Sequence, residues 1–355
     1  MRRGAFSLAL LGGVVNAGCV NMRPPPAPLS PEVSGNAPSQ VWTTTAGRRF
    51  TGRVVLDDET FYGAGVDRKV YAVELESGAV RWSSRLSGII AGGVLVSGDT
   101  VYAGTTRPQG RVFALDRLTG RKYWQSGTGP IGAPLSMWHG VLLAPGQNGE
   151  LMGLDPRTGT IQWRRKVGVT RVAAVPADST AVLVATVDSL FLVGVTDGKV
   201  RQRTPTPGTI LSPWIKFGNG LVAGTTDSLV IAVRADDLEV RWRAKVDAPV
   251  LGSPAAIGDT VYAATRRGTL YRIDPDSVPL AHAIVALDWP VTAPVTVLRG
   301  EILLGGADGA IRALTPEGKE RWRVQVWRPV ELAPVALGDG LLAAGGNGDL
   351  HRYRQ

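Results

Sequence analysis

Short apolar runs alternate with polar, glycine-bearing turns along most of the chain. Runs such as VYAGTT, LVAGTT, VYAATR, ILLGGA and LLAAGG follow tight turns, in most of which Gly stands with Asp, Asn or His, as in SGDT, WHGV, FGNG, IGDT and LGDG. Gly and Asn accept the positive φ that two-residue hairpin turns demand, so these segments predict hairpins. A third run (RVFALD, ELMGLD, LVIAVR, TLYRID or AIRALT) leads to a more polar run centred on Trp, in the clearest units through Asp-x-x-Thr-Gly. With a first strand opened by Ala-Pro or Ser-Pro, as at Ala133-Pro134 and Ser253-Pro254, each unit predicts four short strands.

The units repeat in register. The stretch LDRLTGRKYW, ending at Trp124, is echoed by LDPRTGTIQW ending at Trp163 and by VELESGAVRW ending at Trp82. The matching positions are Trp42, Trp82, Trp124, Trp163, Gln202, Trp242, His282 and Trp322, separated by 40, 42, 39, 39, 40, 40 and 40 residues. Four strands per forty residues leave no room for crossover helices, which predicts a β-propeller. The last stretch, from Ala333 onward, offers only three strands, and the Trp42 segment supplies the fourth. Pairing the termini predicts an all-β, eight-bladed ring over residues 41–355 with no open sheet edge at the closure. In the repeated turn, Asp116 and Thr119 bond the local backbone, Gly120 reverses the chain, and Trp124 covers the seam to a neighbouring sheet. An indole removes roughly 150 to 250 Å² from water, so each seam contact is worth up to several kcal/mol.

Charge and the N-terminal stretch change the picture. The net charge of +9 comes mainly from Arg, spread without a dense basic run, so nucleic-acid binding is not expected. Residues 1–18 open with two Arg, then a short apolar stretch and small residues, which predicts a secretory signal. Ala17-Gly18 before the single cysteine, Cys19, resembles a bacterial lipobox, with Asn16 where Leu is usual. The resemblance implies that Cys19 is lipidated, and Val20 after it implies sorting to the outer membrane. An ordinary cleaved signal with a free thiol is the alternative. Residues 19–40 are rich in Pro and predict an extended tether reaching up to roughly 60 Å.

The motif Asp-x-x-Thr-Gly-x-x-x-Trp in an eight-bladed ring resembles the quinoprotein-type, PQQ-like propeller family. Its enzymatic branch holds pyrroloquinoline quinone and calcium, and many members carry adjacent cysteines. This chain has one cysteine, no carboxylate and amide cluster to hold calcium, and three histidines (His139, His282 and His351) without catalytic partners in the sequence. No catalytic residue, cofactor or metal is therefore expected. The other branch comprises the BamB-like outer-membrane assembly lipoproteins, which this chain resembles in its lipobox, tether and ring. That resemblance implies a non-catalytic scaffold, monomeric within a complex, anchored to the outer membrane and facing the periplasm. Its partners would be a BamA-like barrel protein and other assembly subunits. A periplasmic sensor or ligand-binding propeller, and a quinone-dependent dehydrogenase, remain open readings.

Chain order puts the turns after the second and fourth strands of every blade on one face. That face collects Arg107, Arg266 and Arg267 from the second-to-third turns, with Arg171, Trp289, Trp327 and Arg328 from blade connections. Arg and Trp dominate interface hot spots, which makes these residues candidates for partner binding. The family resemblance implies a BamA contact on the connection after the fourth Trp-register strand. Here that connection is VGVTRVAAV, offering Val169 and Arg171. The next connection, TPTPGTILSP, lacks the acidic residues usual in the family.

Overall fold

The computed structural model describes residues 37–355 except 58, 109, 277–279, 292, 327 and 331. Cys19, the signal and most of the tether lie outside the described residues, as does Trp327. The described residues form thirty-two strands and no helix. Six separate four-stranded antiparallel sheets and one eight-stranded sheet make eight blades. The large sheet is blades 1 and 2 joined through one parallel bridge between their inner strands, Arg53 to Gly93. Blade 2 shows the plan: Ile90–Ser97, Thr100–Thr105, Val112–Asp116 and Lys122–Ser126, from inner to outer strand.

Every seam between neighbouring blades holds its own apolar cluster. Leu95 and Tyr102 of blade 2 meet Leu142 and Met152 of blade 3, and seven similar clusters complete the ring. The eighth cluster joins Leu342 and Leu350 of blade 8 to Phe61 and Tyr71 of blade 1. Central strands are covered on both faces, which is why they read as continuous apolar runs rather than as alternating ones. The outer strands alternate instead, as in Val80–Arg85.

The ring closes as the sequence predicts. Ser39–Thr45 pairs antiparallel with Asp349–Arg354 and becomes the outer strand of blade 8. Where Ala-Pro or Ser-Pro marks the start, the first strand begins just after the Pro, as Ser136–Trp138 does after Ala133-Pro134 and Val335–Leu337 after Ala333-Pro334.

The Trp register follows from contacts between blades. Trp42, Trp82, Trp124 and Trp163 each donate their indole N–H to a carbonyl in the next blade's third-to-fourth turn: Leu75, Arg117, Pro156 and Val195, at 2.8 to 3.0 Å. The glycine of that turn lies against the same indole. A Cβ on Gly120 would stand 2.5 Å from the Trp82 ring, and Gly120 has φ +69°. Gly therefore serves twice, for the left-handed backbone and for the room it leaves. Asp116 secures the turn, its Oδ1 accepting from the Thr119 N–H and hydroxyl, both at 2.7 Å.

A bulge accompanies the indole. The outer strand carries one extra residue just before Trp42, Trp82, Trp124, Trp163, Gln202, Trp242 and Trp322. Opposite the Trp in blades 1, 2, 3, 5 and 7 stands a small residue: Ala72, Ala114, Gly153, Ala232 and Ala313. In blade 6 the register residue is the exposed His282, paired with Arg272, and the bulge moves to Ile284.

Candidate interaction face

Backbone hydrogen bonds bring the two sets of loops together on one face. The N–H groups of Thr106, Gln147, Thr226, Arg266 and Ala307, all in second-to-third turns, donate to Ile89, Pro130, Thr209, Pro249 and Pro290 in the preceding connections. Further bridges tie Thr170 to Thr186, Ile210 to Thr225 and Val291 to Gly306. The turns and connections thus form one continuous rim on that side of the ring.

The sequence-predicted residues are spread around this rim. Val169 is half-buried and Arg171 exposed in the connection into blade 4. Arg107 is exposed on blade 2, and Arg266 and Arg267 are exposed on blade 6. Arg328 is exposed on the way into blade 8, with its backbone close to Gly309. Among the described residues no hydrogen bond or ion pair joins Arg107 or Arg171 to the set on blades 6 to 8.

Trp289 is half-buried rather than free. The guanidinium carbon of Arg312 lies 3.5 Å from the centroid of its ring, and a Cβ on Gly306 would stand 2.5 Å from its indole. Arg312 is itself buried, 5 % exposed, and pairs with Asp308 and Glu320. A desolvated contact of this type contributes about 2 kcal/mol, so Trp289 holds its own loop against blade 7.

Three exposed apolar residues on the same rim were not singled out from the sequence: Val187, Leu211 and Leu251, at 48, 37 and 38 % exposure. Their signal lies in the register. Leu211 follows buried Ile210 and Leu251 follows buried Val250, as Arg171 follows buried Thr170. Arg171, Leu211 and Leu251 therefore occupy one structural position in blades 4, 5 and 6, flanked by Val169 and Val187.

Among the described residues no group of three or more His, Cys, Asp and Glu is placed to hold a metal ion. The inner segments of neighbouring blades approach closely: a Cβ on Gly92 would stand 2.7 Å from Pro134 Cα, and one on Gly252 2.9 Å from Pro294 Cα.

A family model described as outer membrane protein assembly factor BamB matches the chain over residues 33–207, 148–284 and 212–348. Outer membrane protein assembly factor BamB of Pseudomonas aeruginosa is 29% identical over 201 residues, covering 50% of this chain and 52% of that protein. The protein of the same name from Burkholderia pseudomallei is 32% identical over 127 residues, 34% of this chain and 33% of the relative. The chain thus spans about a third to a half of the length of these curated relatives. In fold, the crystal structure of BamB from Moraxella catarrhalis is similar with a TM-score of 0.76 and 15% identity, covering 90% of this chain and 100% of that one.

Proposed function

The chain belongs to the outer-membrane assembly factor BamB family, and from that premise we propose that it is a non-catalytic scaffold of outer-membrane β-barrel assembly. In this reading Cys19 carries a lipid that holds the propeller on the periplasmic side of the outer membrane. The rim of turns and connections docks a periplasmic domain of a BamA-like barrel protein and helps to space or present incoming strands. No bond is made or broken.

The observation that carries the reading is the family match, which runs through all eight blades from residue 33 to 348. The rim supports it with an arc of Val169, Val187, Leu211 and Leu251 around Arg171. Apolar ground with an exposed Arg anchor is the composition of interface centres.

The test is a crosslinked pull-down of the tagged chain from its native outer membrane. Wild type should recover a BamA-like subunit, and Arg171→Glu or Leu211→Glu should lower recovery at least about tenfold, as expected for a hot spot. Arg243→Glu, an exposed change on the outer strand of blade 5, should leave recovery intact. If wild type recovers no barrel subunit while crosslinking and extraction controls work, the assembly role is wrong.

A further inference from the structure

The rim carries a second sector, on the other side of the ring from the Arg171 arc. It begins at the connection into blade 1, passes through that blade's second-to-third turn, and ends at the connection and turn of blade 2. Four backbone hydrogen bonds make it continuous. Val66 N donates to Arg49 O at 2.9 Å, Leu86 N to Arg68 O at 2.8 Å, Ile89 N to Arg107 O at 3.2 Å and Thr106 N to Ile89 O at 2.8 Å.

Arg48, Arg68 and Arg107 are exposed here, and none of the three is ion-paired with a carboxylate among the described residues. The carboxylate within the turn, that of Asp67, is engaged by the Tyr71 hydroxyl and the Lys69 N–H. Between the arginines stand Val66 and Ile89, 41 and 48 % exposed. The sector is therefore cationic and apolar at once.

Guanidinium groups match phosphate oxygens in a bidentate fork. Exposed branched apolar side chains set among such cations gain by entering an apolar layer just behind an anionic one. An acidic polypeptide would satisfy the arginines but would give Val66 and Ile89 less. We propose that this sector binds a lipid surface through the phosphates of anionic headgroups, with Val66 and Ile89 entering the headgroup region. The proposal stands apart from the assembly role, and the two sectors can be occupied together because they lie on opposite sides of the rim.

The experiment is vesicle co-sedimentation of the full chain carrying Cys19→Ala, so that no acyl chain contributes. Vesicles of phosphatidylcholine alone are compared with vesicles containing phosphatidylglycerol. Binding is expected only to the second, weakening as salt rises. Arg48→Glu with Arg107→Glu should weaken it at least about tenfold. A control of equal charge change, Arg157→Glu with Arg243→Glu, should retain most of it. Val66→Ser with Ile89→Ser approaches the same sector without altering charge and should weaken binding several-fold; thermal melts check that each variant is folded.

Four results overturn the proposal. They are no binding to the anionic vesicles, equal binding to both kinds, equal loss in the sector and control pairs, or capture by polyglutamate but not by vesicles.

Discussion

Gln202 and Leu238 sit in different blades, yet the seam between them treats them as a pair. Elsewhere a Trp of one blade lies on a glycine of the next, as Trp82 does on Gly120 and Trp163 on Gly198. In this seam the Trp is Gln202 and the glycine position is Leu238, which keeps the left-handed backbone at φ +58°. That conformation costs a non-glycine residue about 1 to 2 kcal/mol. Leu238 is fully buried and joins the cluster containing Leu192, the cross-strand partner of Gln202, and such burial is worth about 1.5 to 3 kcal/mol. Burial outweighs strain, and Gln202 still donates to the turn of the next blade, at the Asp237 carbonyl, two residues beyond the position whose carbonyl accepts from an indole elsewhere. Leu238→Gly should destabilise the chain by about 2 kcal/mol in urea unfolding. Gln202→Trp alone should destabilise it by overpacking, and the double variant should recover at least about 1 kcal/mol of the summed loss. Strict additivity would remove the pairing argument. From the sequence, Gln202 stood out as a broken repeat, but its compensation lies in the next blade, four residues before Trp242.

The strands themselves were legible, because each blade must offer its neighbours the same two apolar faces. Their fine register was not. The bulge recurs before Gln202 as it does before the Trp positions, so it belongs to the pairing of the outer strand with its neighbour, which no single strand reveals. The glycines of the repeated turn show the same dependence. Gly120→Ala should destabilise by more than about 1 kcal/mol, since it adds strain at positive φ to a collision with Trp82. A melt unchanged from wild type would mean that the turn yields.

On the closing strand pair, His351 is buried beside Thr43, whose hydroxyl lies 3.1 Å from Nδ1, while Nε2 has no partner. Burial holds the imidazole below its ordinary value near 6.5, with Asp349 pulling weakly the other way. The unfolded chain then takes up this proton at a higher pH than the folded one. This contribution to stability is complete above about pH 6.5 and is lost as pH falls. Stability should therefore fall between pH 7.5 and 5.5, and His351→Gln should remove that share of the pH dependence. The same slope in both proteins would exonerate His351.

For the molecule as a whole, the period near forty and the three-stranded last unit were enough to predict eight blades and their closure. The face that gathers the connections was also legible, because strand order alone assigns it. What it presents was less so. Trp289 has its face covered by Arg312, whereas Leu211 and Leu251 emerge only when the connections are aligned in space. The contiguity of Arg48, Val66, Ile89 and Arg107 depends on hydrogen bonds between separate loops. Closure itself can be tested: deleting residues 1–46 leaves Asp349–Arg354 as a free edge. The deletion should lower the melting temperature and cause self-association in light scattering. A monomer with an unchanged melt would show that the ring gains nothing from its terminal pairing.

That pairing also imposes an order in time. Thr45 bonds Asp349 across 304 residues of chain and Ser39 bonds Arg354 across 315, so the first strand made is completed by the last. At about 5 to 20 residues per second, Ser39–Thr45 waits on the order of 15 to 60 s after synthesis before its partner exists. During that interval blade 1 has no neighbour on one side, and Phe61 and Tyr71 face an empty seam. Maturation of this ring is therefore paced by the arrival of its final six-residue strand, and the nascent chain has to be kept from other strands until then.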